Sequence, residues 1–251
     1  MADGRVAPAA SVESDASSAS QVPTSYPDAG RAPSGSNERY GSVFSGGEFH
    51  LGPVDWEETQ FHNACASEQK YPGSVRRAEG QLLAGIWSGV STPESYCDTC
   101  IEVQTAKGKT AVLRVVTYGD TTVDSIDVSS EAYALLDSGE YPRNMSWQLV
   151  GCPDTGKLSY EFKTGSNAYW TAFWVRNARV PIASVEVMSL RHAYAASSRD
   201  SDGSFVDAAG FGEGTFSIRV TSVDGQVITD TLTQPVSGLA GALIGSRTNF
   251  Q

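Results

Sequence analysis

From Leu82 to Leu232 the chain is a train of short apolar or alternating runs, each closed by turn residues, and this rhythm predicts an all-β protein. Leu82–Trp87 is an apolar run, Ile101–Thr105 alternates, Lys107-Gly108-Lys109 turns, and Thr110–Val116 returns as a second strand. An extended segment ending at Val128 follows, then one helical stretch that Ser129 or Ser130 can cap and Gly139 can close, then a strand Met145–Val150. This first set predicts a small β-barrel with one helix over residues 46–152. Pro153-Asp154-Thr155-Gly156 reads as a turn linker. Beyond it, Leu158–Lys163, Ala168–Arg176, Ala183–Leu190 and a hairpin from Phe216–Val223 through Asp224-Gly225 into Gln226–Leu232 predict a β-sandwich over residues 153–251.

A chain of 251 residues has room for two such cores. Residues 1–45 are Ala, Ser, Pro and Gly with few large apolar side chains, and are expected to form a disordered spacer behind a removed leader or anchor. Met1-Ala2-Asp3-Gly4-Arg5 lacks the apolar core of a signal peptide, and no run approaches the roughly 18 apolar residues that span a bilayer, so a soluble or mature form is expected. The balance of 18 basic and 29 acidic residues, net −11, disfavours nucleic acid as a partner.

The four cysteines, Cys65, Cys97, Cys100 and Cys152, fall within one half of the chain and serve one domain. A zinc site would need a second Cys-x-x-Cys or paired histidines, whereas His50, His62 and His192 are scattered, so no metal and no cofactor is expected. A thioredoxin-like site would start a helix after Cys100, but Ile101–Thr105 alternates like a strand. Two disulfides outside the reducing cytoplasm are the better reading, with three pairings open.

Asp127, between Ile126 and Val128, is an acid with apolar neighbours, a setting that raises a carboxyl pKa and suits it to hold or donate a proton. The alternative is a helix cap. Asp55, Glu57 and Glu58 surround Trp56, either as solvated surface or as a second carboxyl facing Asp127 across a groove, with Trp56 and Tyr118 as sugar platforms. Lys163 through Arg176 carries four aromatics in six residues, Tyr169, Trp170, Phe173 and Trp174; strand alternation puts Trp170 and Trp174 on one face and Tyr169 and Phe173 on the other. Joint exposure of Tyr169 and Trp170 requires a twist or bulge after Gly165. Two apparent motifs carry nothing: Gly151–Leu158 lacks the helix and hydroxyl of a phosphate loop, and the Gly-x-Ser-x-Gly elbow is absent.

In this order the pieces resemble the microbial expansins, a six-stranded double-psi β-barrel related to family 45 endoglucanases followed by an immunoglobulin-like β-sandwich carbohydrate-binding module. The likeness runs from about Gly46 to the C-terminus and rests on Thr155–Ser166 with Tyr169-Trp170 and Val175-Arg176-Asn177, on Ile126-Asp127-Val128-Ser129, and on Met145–Val150. It implies a secreted monomer that binds cellulose and other plant-wall glucans and loosens them without hydrolysis. It implies the pairings Cys65–Cys97 and Cys100–Cys152, Asp127 as the acid of the groove and Tyr118 as its tyrosine. Lys163, Tyr169 and Trp170 fall on the binding surface, with Phe205 as its third aromatic. A second groove aspartate of relatives falls on Val116 and an early groove threonine near Asp55. Asp55, Glu57 or Glu58 as a catalytic base would instead make an inverting endo-β-1,4-glucanase.

Overall fold

The computed structural model describes residues 38–54, 64–66, 82–153 and 156–251. Asp55, Trp56, Glu57 and Glu58 lie outside the described residues. Six strands close a barrel: β1 (Arg39–Leu51), β2 (Leu83–Trp87), β3 (Cys100–Thr105), β4 (Thr110–Gly119), β5 (Ile126–Val128) and β6 (Asn144–Val150), in the order β1-β5-β2-β4-β3-β6. The pairs β1/β5 and β2/β4 are parallel and the remaining neighbours antiparallel, so the chain crosses the barrel between hydrogen-bonded partners. Alternation fills the interior: Phe49, Ala84, Ile86, Ile101, Val103, Leu113, Val115, Ile126 and Val128 are buried around Trp147. Phe44 stacks on the Trp147 indole at 4.0 Å.

The spacer boundary moves. Strand β1 begins at Arg39, so residues 39–45 belong to the barrel; their pairing with β6 is non-local, and Gly41 and Gly46, at φ 66° and 97°, pass through breaks in its register. Helix α1 (Ser130–Leu136) follows β5, and the Ser129 hydroxyl accepts from the Ala132 amide as its N-cap. Its C-cap is Asp137, in extended conformation, so Gly139 lies beyond the helix it was expected to close. The disulfides are Cys65–Cys97 and Cys100–Cys152.

The second half stacks two sheets. One contains β7 (Ser159–Phe162), β8 (Thr171–Arg176), β11 (Ser198–Arg199), β12 (Phe205–Asp207) and β15 (Leu243–Gly245), ordered β11-β12-β8-β7-β15; the other contains β9 (Ile182–Met188), β10 (Ala195–Ala196), β13 (Thr215–Ser222) and β14 (Val227–Thr233), ordered β10-β9-β13-β14. Tyr160, Phe162, Phe173, Phe211, Phe216 and Ile218 interdigitate between them. Phe205, expected on the binding surface, is 3 % exposed; β12 pairs Phe205 with Phe173, so both rings face this core. Strand β8 starts at Thr171, three residues later than the sequence rhythm suggests. Asn167–Trp170 is a turn closed by a bridge between its ends, and alternation applies only after it.

The outer face of the five-stranded sheet packs on the barrel. Arg176, fully buried, donates from Nε to Glu161 at 2.7 Å and from Nη1 to the Cys65 carbonyl at 2.9 Å. The Asn177 amide donates to the Asp98 carboxylate, which also pairs with the buried Arg114 at 3.1 Å. Gly203, at φ 77° in the β11–β12 turn, lies so close to the Cys65–Cys97 bridge that an added Cβ would sit 2.6 Å from the Cys97 Cβ.

Candidate functional site

Strand β5 holds Asp127 between two partners. Ile126 and Val128 turn into the barrel and leave Asp127 on the outer face, level with His50 on β1 and Gly85 on β2. Gly85 is in turn level with Thr117 on β4, so Asp127, Gly85 and Thr117 form a row across two strand spacings, about 10 Å. Glycine lets the row pack closely, with Gly85 and Thr117 buried and Asp127 half-buried. A Cβ on Gly52 would lie 2.7 Å from the Asp127 Cβ, and one on Gly85 would lie 2.8 Å from the Thr117 methyl. Asp127 is half-buried, and burial raises its pKa above the ordinary carboxyl value; His50 opposes the rise. The carboxyl is therefore a better proton holder than a surface aspartate.

Tyr118 stands one residue past Thr117, and its hydroxyl donates to the Ser201 carbonyl in the β11–β12 turn of the sandwich. Burial raises its pKa, and so do Glu94, Asp202 and Asp200. The same turn receives Lys163, whose ammonium lies 2.6 Å from Asp202, 3.4 Å from Asp200 and 5.3 Å over the Trp174 ring. Trp174 is buried on the outer sheet face and donates to the Asp202 carbonyl at 2.8 Å. Val116, where the resemblance places a second aspartate, is buried against Val54, Leu83 and Cys97.

Tyr169 and Trp170 occupy the turn before β8. Tyr169 is 71 % exposed and Trp170 half-buried. Gly210, at φ 68°, presses this turn from behind: a Cβ there would meet the Ala168 carbonyl and the Trp170 amide at 2.6 Å. The Gly212 amide donates to the Ala168 carbonyl and the Tyr169 amide to the Asn167 side chain. The Arg191 guanidinium lies 4.6 Å from the Tyr169 ring centroid.

The described residues thus join Asp127, Thr117 and Tyr118 on the barrel to Lys163 through the β11–β12 turn, and set Tyr169 and Trp170 on one clamped turn. Phe205 is not among them. Sequence reading missed His50, Gly52 and Gly85, which become neighbours of Asp127 only through non-local pairing. It also missed Arg191, whose only local signal is a cation in a loop. Among the described residues no cluster of His, Cys, Asp or Glu could hold a metal ion, and no helix is long and apolar enough to cross a membrane.

No family model matches the chain. Individual relatives do. Expansin-YoaJ of Bacillus subtilis (strain 168) is 30 % identical over 216 residues, 80 % of this chain and 79 % of that protein. Expansin-like protein 6 of Dictyostelium discoideum is 26 % identical over 184 residues, 69 % of this chain and 62 % of that protein. Among solved structures, the apo expansin of Clavibacter michiganensis superposes with a TM-score of 0.67 at 20 % identity, covering 84 % of this chain and 98 % of that one. A point mutant of the Clavibacter protein in complex with cellohexaose superposes at 0.65 and 19 % identity, with the same coverage, and these two share the fold. With the closed barrel, the paired sheets and the match to the Bacillus protein along most of both chains, this chain belongs to the expansin family.

Proposed function

We propose that this expansin is an extracellular protein that binds cellulose and related wall glucans through the Tyr169-Trp170 turn and loosens their contacts at the Asp127 groove without cutting chains. The observation that carries the reading is the turn itself: an exposed ring beside a half-buried one, on backbone that Gly210 and Gly212 hold fixed, offers a preorganised apolar platform. Pyranose rings present C–H faces to such platforms. The cellohexaose complex of the Clavibacter fold relative supports a β-glucan as the ligand class. Residues 38–152 act as the working barrel and residues 156–251 as the binding module.

In the groove Asp127 acts by exchanging hydrogen bonds. A carboxyl that keeps its proton more readily than usual can donate to one glucan oxygen and accept from another, competing with the bonds between neighbouring chains. Tyr118 closes the end of the groove nearest the sandwich.

The test has two arms. Alanine at both Tyr169 and Trp170 should weaken pelleting with microcrystalline cellulose by about fivefold or more, at about 0.5 to 1.5 kcal/mol per stacked ring; unchanged pelleting sinks the platform. Asp127→Asn should abolish wall creep while leaving pelleting intact, and neither protein should release reducing ends from amorphous cellulose. Reducing ends from the wild type alone would establish a lytic protein.

A further inference from the structure

The loop between β9 and β10, Ser189–Tyr194, belongs to the sheet opposite the one that carries Tyr169, yet it delivers Arg191 to the Tyr169 ring. Its middle is held by His192, through one contact within the loop and one to β12. The His192 ring places Nδ1 2.8 Å from the Ala193 carbonyl oxygen and Nε2 2.6 Å from Asp207 Oδ2. Both partners are acceptors. A neutral imidazole has one N–H and can satisfy only one of them, so this geometry calls for the imidazolium. Asp207 is itself fixed: it is buried at the end of β12, level with Thr171 on β8, and its other oxygen accepts from the Ala209 amide at 3.0 Å. Three residues on, Gly210 presses against the backbone of Ala168–Trp170. One short path therefore runs from the imidazole through Asp207 to the underside of the aromatic turn, and a second from the imidazole through Arg191 to the Tyr169 ring.

We infer that Arg191 is the positioning residue of the Tyr169 platform, that the His192–Asp207 pair holds it in place, and that glucan binding by this surface weakens when the imidazole loses its proton. The inference rests on the reading of Tyr169 as a stacking platform. Arg191 takes up one face of the ring and leaves the other for a sugar, and the exposed phenol loses little freedom on binding because the guanidinium already orients it. The charged group facing the imidazole from β12 is Asp207, and the group facing it from β9 is the Val187 backbone; Ala193 and the Arg191 charge lie on its own loop. The far end of that loop is pinned separately, with Tyr194 under Arg219 of β13 at 3.7 Å and Arg219 paired with Glu186 of β9 at 3.2 Å. The Ala193 carbonyl and then Asp207 raise the His192 pKa above 6.5, so both contacts are made in acid and near-neutral solution, and one of the two is given up as pH rises through that higher value, which loosens the clamp.

The experiment measures binding isotherms on microcrystalline cellulose from about pH 5 to pH 9, spanning the ordinary histidine value, for the full chain and four variants. Wild-type affinity should fall about 2- to 5-fold across the titration, the range an exposed cation–π contact supports. Arg191→Gln should bind at the lowered level at every pH, Arg191→Lys should recover part of the loss, and His192→Gln should show no step. The Tyr169→Ala variant separates a failed platform from a failed clamp. If it binds as wild type, the platform itself is wrong. If it loses binding while Arg191→Gln does not, or while wild type shows no His192-dependent step, the platform stands and the positioning inference is overturned. Nitrogen-15 spectra of the wild-type His192 ring decide the same point without any variant: two protonated ring nitrogens at pH 6 are expected, and a neutral tautomer there overturns the clamp.

Discussion

Because burial raises the Asp127 pKa, the folded protein holds a proton at this site more tightly than the unfolded chain does. The site's favourable contribution is fully present below the unfolded carboxyl value near 3.8 and is lost as pH rises through the higher folded value, so at neutral pH the charged group weighs against folding. Asp127→Asn should therefore raise the melting temperature at pH 7 and change it little at pH 3; a variant that melts lower at pH 7 would show that the carboxylate stabilises the fold. Gly52 is the complementary case. With a Cβ 2.7 Å from the Asp127 Cβ, Gly52→Ala must displace strand or acid, and is expected to cost about 1 to 3 kcal/mol in denaturant titrations and to impair wall creep. Asp127 is legible in the sequence because Ile126 and Val128 declare a buried strand on either side of it. His50, Gly52 and Gly85 are not, since their nearness to Asp127 is created by β1 and β2, whose register no local pattern encodes.

At the scale of elements, the turn Asn167–Trp170 shows how backbone chemistry overrides strand rhythm. The run Ala168–Arg176 alternates well enough to read as one strand, but Asn167 bridges Trp170 and accepts the Tyr169 amide on its side chain, ending the ladder at Thr171. The sequence condition for joint exposure of Tyr169 and Trp170, a distortion after Gly165, is met by this turn. Gly210 is what the turn rests on, at a positive φ and with no room for a Cβ. Gly210→Ala should lower stability by about 1 to 3 kcal/mol through backbone strain and weaken cellulose pelleting about as much as loss of the aromatic rings does, while wild-type binding would show that the turn tolerates displacement. Strand β12 behaves in the opposite way. Nothing in the residues around Phe205 tells which face its ring takes, and only the pairing with Phe173 turns it into the core.

For the whole molecule, the seam between barrel and sandwich is built from buried polar contacts. Arg176 is its centre, and Arg176→Ala would leave Glu161, 6 % exposed, without its cation; a loss of about 3 to 5 kcal/mol is expected in thermal or denaturant unfolding. Replacing Arg176 by Met together with Glu161 by Leu should recover most of that stability, since the desolvation of both charges disappears with them. The two-part architecture can be read from turn spacing and from cysteines confined to one half, but the seam cannot, because Arg176, Glu161, Asp98 and the Cys65 carbonyl are scattered along the chain. The Cys65–Cys97 bridge lies directly beneath this seam, with Gly203 against Cys97 and Arg176 on the Cys65 carbonyl. Closing that bridge fixes the Cys65 carbonyl and Cys97 side by side, the two points on which Arg176 and Gly203 seat, so oxidation is expected to tighten the docking of the sandwich. Protein produced under reducing conditions should be cut by protease within 64–66 more readily than the oxidised form, and equal protection of the two would show that the seam holds without the bridge.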